Sequence, residues 1–540
     1  MPFLDWVNKR QATRSAQDVP YHLLRQVSAH GDTTGAYADN LLVQGDNLLA
    51  LKALLPFYRG QVKCIFIDPP YNTQSAFEHY DDRLEHSQWL SMMYPRLVLL
   101  RELLRNDGFI VFHIDDSESH YAKVMLDEIF GRANYQTTFY IQVRYTSKTL
   151  KSDMAYHKQI EQGLIYRHSW GARPNRPIVK TEGFEKFNFQ IVTHGKGRLI
   201  TLGGKEVAVY TPTEYEIRKV QGHVDGLKEI WATGSILDGN SSGRFFRDFL
   251  AGRVSLDGAG ALYKVAGIGD DGLGYRYITG PKKVSATKGK YFQGVPIEKR
   301  GLAIQQTEFS IENFYDFSPQ FGNCRNEGGV DFRSGKKPEA YIKKMLELFT
   351  NSGDLVIDSF LGSGSTGAVA HKMGRRYIGI EMGEHAQTHC LPRLQKVLEG
   401  EQGGISAQVG WQGGGGFRFC KVGSAVFDAF GAIHPEVKFN ALAAYLWHFE
   451  TGTPGKARYD KPRLGTHQGT AYYLLFNGIL GDRRPEGGNV LTLAVLQMIE
   501  EAMPHDGPKV IYGETTSLGP ARLARLGIRF KQIPYDLPLR

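Results

Sequence analysis

Cysteine is scarce in this chain. Four occur in 540 residues, Cys64, Cys324, Cys390 and Cys420, and no two form a Cys-x-x-Cys pair. That count and spacing argue against a disulfide framework or a zinc knuckle and fit a reducing compartment. No run of 18 apolar residues occurs, so no membrane-spanning helix is expected. The opening Met1-Pro2-Phe3-Leu4-Asp5-Trp6 has neither a basic n-region nor an apolar h-region. No Gly-x-x-x-x-Gly-Lys-Ser/Thr loop is present, so the chain itself is not expected to hydrolyse ATP. These absences together give the expectation of a soluble, cytoplasmic protein without a membrane partner.

What is present is length and a local excess of positive charge. A chain of 540 residues exceeds one ordinary core and predicts two to four domains. Its net charge is +9, and residues 141–310 alone hold 26 Lys and Arg against 16 Asp and Glu. The rest of the chain is close to neutral. Within 141–310 glycine, tyrosine and basic residues interleave, as in Lys288-Gly289-Lys290-Tyr291-Phe292, and helical periodicity is scarce. A β-rich insertion whose cations meet a polyanion is the natural reading, since Lys and Arg neutralise phosphates while few side chains read bases.

The organising stretch is Ile65-Phe66-Ile67-Asp68-Pro69-Pro70-Tyr71-Asn72. An apolar β-forming run meets two prolines, which cannot donate to a ladder and so end the strand. Open α/β sheets place their chemistry just past such strand ends. Pro70 has no N–H, so the turn offers acceptors: the Asp68 carboxylate and the Pro69 carbonyl. Two acceptors suit an exocyclic aryl amine, whose lone pair is localised when both hydrogens are held. Tyr71 is placed to stack on the ring that carries it.

A second constellation follows much later: Leu355-Val356-Ile357-Asp358-Ser359-Phe360-Leu361-Gly362-Ser363-Gly364-Ser365-Thr366-Gly367, a helix, then Tyr377-Ile378-Gly379-Ile380-Glu381. Gly362-x-Gly364-x-x-Gly367 with Glu381 nineteen residues on satisfies the dinucleotide fingerprint. Taken alone, an NAD-dependent oxidoreductase is a fair reading of it.

The two constellations together resemble amino-group DNA methyltransferases, which move a methyl from S-adenosylmethionine to adenine N6 or cytosine N4. Gly45-Asp46-Asn47-Leu48 and Gly60-Gln61-Val62-Lys63-Cys64 make the chain similar to the Mod subunits of type III restriction–modification systems. With gaps, the resemblance covers roughly residues 41 to 425. It implies Asp68, Pro69, Pro70 and Tyr71 as the catalytic group, with Asp46, Lys337, Asp358, Phe360, Gly362, Gly364, Thr366 and Glu381 around S-adenosylmethionine. Asp46 would lie near the cofactor's adenine, although an N-cap of the following helix reads equally well. Lys337 would border its methionine end, and Glu381 would hold its ribose. Asp at position 68 tilts the target towards adenine, with N4-cytosine as the near alternative. The amine turn has no use in hydride transfer, so S-adenosylmethionine is favoured over NAD.

The order along the chain, amine motif, insertion, cofactor motif, corresponds to the β arrangement of this family. It implies a permuted, Rossmann-like α/β sheet of about seven strands. The expected domains are 1–40, an N-terminal extension; 41–140, the catalytic half; 141–310, a target-recognition domain for double-stranded DNA; 311–425, the cofactor half; and 426–540, a small α/β domain. By the resemblance, that last part serves dimerisation or docks a helicase–nuclease restriction subunit. Asp115-Asp116 reads as a turn rather than a metal site, and His385 and His389 as structural or surface residues. No metal is expected.

Overall fold

The computed structural model describes residues 4–72, 85–146, 156–181, 184–232, 241–300, 305–332, 335–428, 431–456 and 458–536. The chain divides into two compact units, residues 1–175 with 312–540, and residues 176–311.

The first unit is built on a ten-stranded sheet. In chain order its strands are β1 His22–Gly31, β2 Leu41–Gln44, β3 Val62–Ile67, β4 Leu104–Ile114, β5 Tyr135–Gln142, β6 Ile160–Arg167, β7 Phe314–Asp316, β8 Leu355–Asp358, β9 Arg376–Glu381 and β10 Gly416–Ala425. In space they run β1-β10-β2-β9-β8-β3-β4-β6-β5-β7. From β10 to β4 all neighbours are parallel, and β1 and β6 pair antiparallel. The central strands are apolar on both faces, with every residue of β3 and β8 buried. This is the signature of a parallel sheet covered by helices on each side. The helices are α1 Lys9–Asp18, α2 Asn47–Tyr58, α3 His86–Leu103, α4 Ser119–Leu126, α5 Glu339–Phe349, α6 Ser365–Lys372 and α7 Leu391–Leu398. None among the described residues is long and apolar enough to cross a membrane.

Three sequence expectations shift here. The sheet has ten strands rather than about seven. Residues 1–40 are not a bare extension, because β1 pairs along β10 from His22↔Ala425 to Gly31↔Gly416. Its Leu23, Leu24, Val27 and Ala29 are interspersed with polar residues and none is buried, as an outer strand permits, so no long apolar run marks it. The insertion is also shorter than 141–310. β6 lies between β4 and β5, with His113 opposite Gly163 and Phe139 opposite the same glycine, so it belongs to the ten-stranded sheet.

The second unit, 176–311, holds 20 Lys and Arg against 14 Asp and Glu. Among the described residues, eight of its strands form one sheet that is antiparallel throughout. Its entering and leaving segments, Ile178–Thr181 and Gln305–Glu308, pair with each other as a separate ribbon. Within the sheet a buried carboxylate organises one hairpin. Asp271 binds the guanidinium of Arg276 and accepts the Gly294 N–H at 2.6 Å, and both side chains are excluded from water.

Residues 426–536 form a further four-stranded sheet with its own apolar core. That core reaches Tyr21, Leu23 and Phe57 of the catalytic part. Pro56 sits inside the last turn of α2, where its carbonyl accepts the Gly455 N–H at 2.7 Å.

Removing one partner of a buried ion pair strands the other charge and costs about 3–5 kcal/mol. Asp271→Ala is therefore expected to speed amide exchange across residues 262–294 and leave exchange across 355–381 as in the wild type.

Candidate functional site

The connection leaving β3 turns towards β4, whereas the one leaving β8 turns the other way, towards β9. Between β3 and β8 the sheet therefore has its topological switch point, where diverging loops open a crevice at the strand ends. Val356 pairs with Cys64 and Ile357 with Ile65. That register brings the Asp68 turn and the Asp358–Gly364 turn side by side, although more than 280 residues separate them in sequence.

The first turn is pinned from below and behind. Trp89 of α3, fully buried, donates its Nε1–H to the Pro70 carbonyl at 2.7 Å. Asn72 takes a left-handed φ of 57° and donates to Glu118 Oε1 at 2.8 Å. The Pro69 carbonyl receives no hydrogen bond from any described residue. Asp68 retains 16% side-chain exposure, and its Oδ2 lies 2.6 Å from the Lys337 ammonium. Burial raises the Asp68 carboxyl and the Lys337 charge opposes that rise. The same ammonium stands 4.9 Å from the centre of the Tyr71 ring. Lys337 thus covers one face of Tyr71 and one oxygen of Asp68.

Behind Tyr71 lies a buried polar chain that sequence reading missed. The Tyr71 hydroxyl donates to Glu161 Oε2 at 3.1 Å, and His113 Nε2 meets the same oxygen at 2.7 Å. His113 Nδ1 then takes the Tyr341 hydroxyl at 2.7 Å. Burial lowers the His113 pKa, and the hydrogen bond and charge of Glu161 oppose that shift. Burial alone would raise Glu161, but the His113 hydrogen bond and the Lys337 charge hold it down at about 2. The available signal was His113 itself, an ionisable residue between Phe112 and Ile114 in an otherwise apolar strand.

The second turn has the geometry of a cradle. Gly362 and Gly364 take φ values of 58° and 84°. A Cβ on Gly364 would also stand 3.2 Å from the Cys390 Cα. Asp358 accepts the Phe360 N–H at 2.9 Å and the Thr366 hydroxyl at 2.6 Å, closing the loop onto the start of α6. Glu381, at the end of β9, accepts the Gly362 N–H at 2.7 Å and the Met382 N–H at 2.8 Å, with His385 Nε2 at 2.9 Å. The Ser359 hydroxyl is buried at the strand end with no partner among the described residues.

Beneath this loop sits an ionic cluster. Arg393, fully buried, donates to Ser365 Oγ at 2.7 Å, to Ser363 Oγ at 3.2 Å and to Glu339 Oε1 at 2.8 Å. Glu339 also binds Lys372 at 2.7 Å. Lys336 turns away from Lys337 and caps the carbonyls of Arg325, Glu327 and Val330.

The structure therefore gathers Asp68, Pro69, Pro70, Tyr71 and Lys337 at one crevice wall and Asp358, Phe360, Gly362, Gly364, Thr366 and Glu381 at the neighbouring strand ends. Asp46 stands at the end of β2 as the N-cap of α2, accepting the Leu48 N–H at 2.7 Å, with Arg96 at 3.2 Å. Asp115 accepts from Ser117 in a turn, and Asp116 pairs with Lys158 at 2.7 Å. His385 is taken up by Glu381, and among the described residues no group of three or more His, Cys, Asp or Glu is arranged to hold a metal.

Comparison with known proteins agrees with this geometry. Residues 62–390 match the family model described as N6/N4 DNA methylase. The chain is 30% identical over 420 residues to a Haemophilus influenzae protein named as the probable HindVI Mod subunit of a type III restriction–modification enzyme, covering 74% of this chain and 55% of that one. It is 35% identical over 406 residues to the Salmonella typhimurium StyLTI Mod subunit, covering 67% and 54%. The chain thus spans about half the length of these relatives. Among solved structures, the PvuII cytosine-N4-specific DNA methyltransferase aligns over 69% of this chain and 90% of its own, at 12% identity and a TM-score of 0.34.

Asp358 carries a pH signature. Burial, reinforced by the nearby Asp68 charge, lifts its carboxyl to about 8. A folded-state pKa above the unfolded value means the folded chain holds the extra proton. The resulting stability is complete below the unfolded value near 3.9 and is lost as pH climbs through 8, by at most about 1.4 kcal/mol per pH unit. The stability of the wild type relative to Asp358→Asn, from urea unfolding, is expected to fall between pH 5.5 and 8.

Proposed function

The chain belongs to the N6/N4 DNA methylase family, and from that membership we propose that it methylates adenine N6 in double-stranded DNA with S-adenosylmethionine as donor. The observation that carries the proposal is the adjacency of an acceptor-only turn and a glycine cradle at one switch point. An open carbonyl at Pro69 and a carboxylate at Asp68 give an exocyclic amine two acceptors. A cradle without the amine turn would serve a nicotinamide cofactor equally well, and the turn gives hydride transfer nothing to use.

The residues present fit a nucleoside cofactor. The left-handed glycines bring backbone close to a ligand, Glu381 is a buried acid at the strand end, and the unpartnered Ser359 hydroxyl offers a further polar contact. Gly362, Gly364, Phe360 and Glu381 would hold it, with Asp46 and Lys337 at its two ends. Bound there, S-adenosylmethionine supplies an electrophilic methyl on a positively charged sulfur.

The chain's own residues then do three things. Asp68 and the Pro69 carbonyl take the two amine hydrogens, which localises the nitrogen lone pair and orients it. The Asp68 carboxylate faces the positive charge that develops on nitrogen, an electrostatic stabilisation aimed at the transition state. Its raised pKa also suits it to accept the proton the methylated amine sheds. Tyr71 offers its ring to the base. Flipping the base from a duplex costs a few kcal/mol, and stacking returns about 1–3 kcal/mol.

The basic β-sheet unit 176–311 is proposed as the target-recognition part. Because the relatives are named as modification subunits, we also propose that this chain acts beside a restriction subunit, with residues 426–540 as the docking or dimer surface. Cytosine N4 is the second reading, since its amine fits the same two acceptors.

Labelled S-adenosylmethionine and unmethylated genomic DNA test the assignment, with nucleoside analysis of the product. Label is expected in N6-methyladenine, whereas label in N4-methylcytosine would change the base and keep the mechanism. Asp68→Ala is expected to lower transfer by about 100-fold or more, as for loss of one preorganised polar group. Undiminished transfer by that variant would remove Asp68 from the chemistry.

A further inference from the structure

We propose that Glu161 is a positioning residue for the target base, acting through the Tyr71 hydroxyl. The inference rests on the methyl-transfer reading above and adds a residue that no motif marks. Glu161 stands on β6, ninety residues after Tyr71, and its carboxylate takes the Tyr71 hydroxyl at 3.1 Å. What that bond decides follows from how the rest of Tyr71 is held.

The backbone of the turn is fixed on both sides of Tyr71. Pro70 precedes it with its carbonyl tied to Trp89, and Asn72 follows in a left-handed conformation bonded to Glu118. The remaining freedom of Tyr71 lies in its side-chain torsions. The Lys337 ammonium stands 4.9 Å from the ring centre and the His113 ring 6.1 Å from it. The tilt of the ring that meets a base is set where the hydroxyl is anchored.

The anchor is itself rigid. Glu161 receives His113 on the same oxygen, and His113 is held from its far nitrogen by Tyr341 on α5. Two strands, the turn after β3 and a helix therefore meet in one chain of hydrogen bonds through that carboxylate. Charge points the same way. Two carboxylates, Asp68 and Glu161, lie about the one Lys337 ammonium, and carboxylates near the ring suit a reaction whose positive charge arrives at the amine. A purely structural carboxylate would satisfy its neighbours without facing the ring that meets the substrate.

The test uses the full-length protein, with kcat and KM for labelled S-adenosylmethionine measured on unmethylated genomic DNA. The variants are Glu161→Gln, which keeps shape and removes charge, Tyr71→Phe, which keeps the ring and removes the hydroxyl, and the double variant. Each single variant is expected to lower kcat by about 10–100-fold, the scale of a misplaced reactant. KM for the cofactor and its calorimetric affinity are expected to stay within about threefold. The double variant is expected to fall no further than the lower single one, because both changes act through the same bond, weakened in Glu161→Gln and removed in Tyr71→Phe.

Wild-type kcat in Tyr71→Phe would overturn the proposal, even if Glu161→Gln failed to fold. So would multiplied losses in the double variant, or a Glu161→Gln defect confined to thermal stability and cofactor KM. A wild type that transfers no methyl at all would overturn the methyl-transfer reading and this one with it. A wild type that transfers, with variants that match it, overturns this one alone.

Discussion

The pairing of β3 with β8 is the constraint on which the rest of the molecule depends. Only two residue pairs define it, Cys64 with Val356 and Ile65 with Ile357. β2 pairs with β9 and β10 as well, and β1 with β10, so the two halves of the sheet interleave, and the β3–β8 rungs are the ones that lie beside the site. The ion pair from Lys337 to Asp68 crosses the same seam at 2.6 Å. Neither half holds a complete site. The first supplies acceptors and an aromatic face, and the second supplies the cradle and the cation that covers them. The chemistry exists only when the seam is closed.

Beneath the seam the structure spends charge where apolar residues would pack. Glu339, Lys372 and Arg393 are all removed from water, and Arg393 reaches up to Ser363 and Ser365 of the glycine turn. Buried ion pairs are poor contributors to stability, because desolvation offsets much of their attraction. Their use here is geometric. A guanidinium with several donors in a fixed plane can dictate where two hydroxyls and a carboxylate stand. Greasy packing under a loop rich in glycine would leave it several shapes of similar energy.

What could be read from the sequence was what is local. The proline turn and the glycine turn announce themselves because their backbone conformations demand those residue types within a few positions. The strands before them are apolar on both faces and equally plain. What escaped was set by distant pairing. β1 carries no long apolar run and reads as loop, since only its partner β10 makes it a strand. Glu161 looked like one more charge in a basic segment until β6 was found between β4 and β5. His113 was visible as an oddity in an apolar strand, but its partners come from residues 161 and 341. Arg393 gave no sign at all, because nothing in a short amphipathic helix says which basic residue faces inward.

The ribbon formed by Ile178–Thr181 and Gln305–Glu308 has a consequence for how such a chain can change. Paired antiparallel strands hold their backbones about 5 Å apart, so the whole insertion leaves and re-enters at nearly one point. To the catalytic sheet it is equivalent to a short surface loop, and loop closure costs little more as the enclosed length grows. Any module whose ends meet in a similar ribbon could be exchanged there without moving β3 or β8. Inheritance can therefore trade the insertion wholesale while the sheet that carries β3 and β8 is passed on intact.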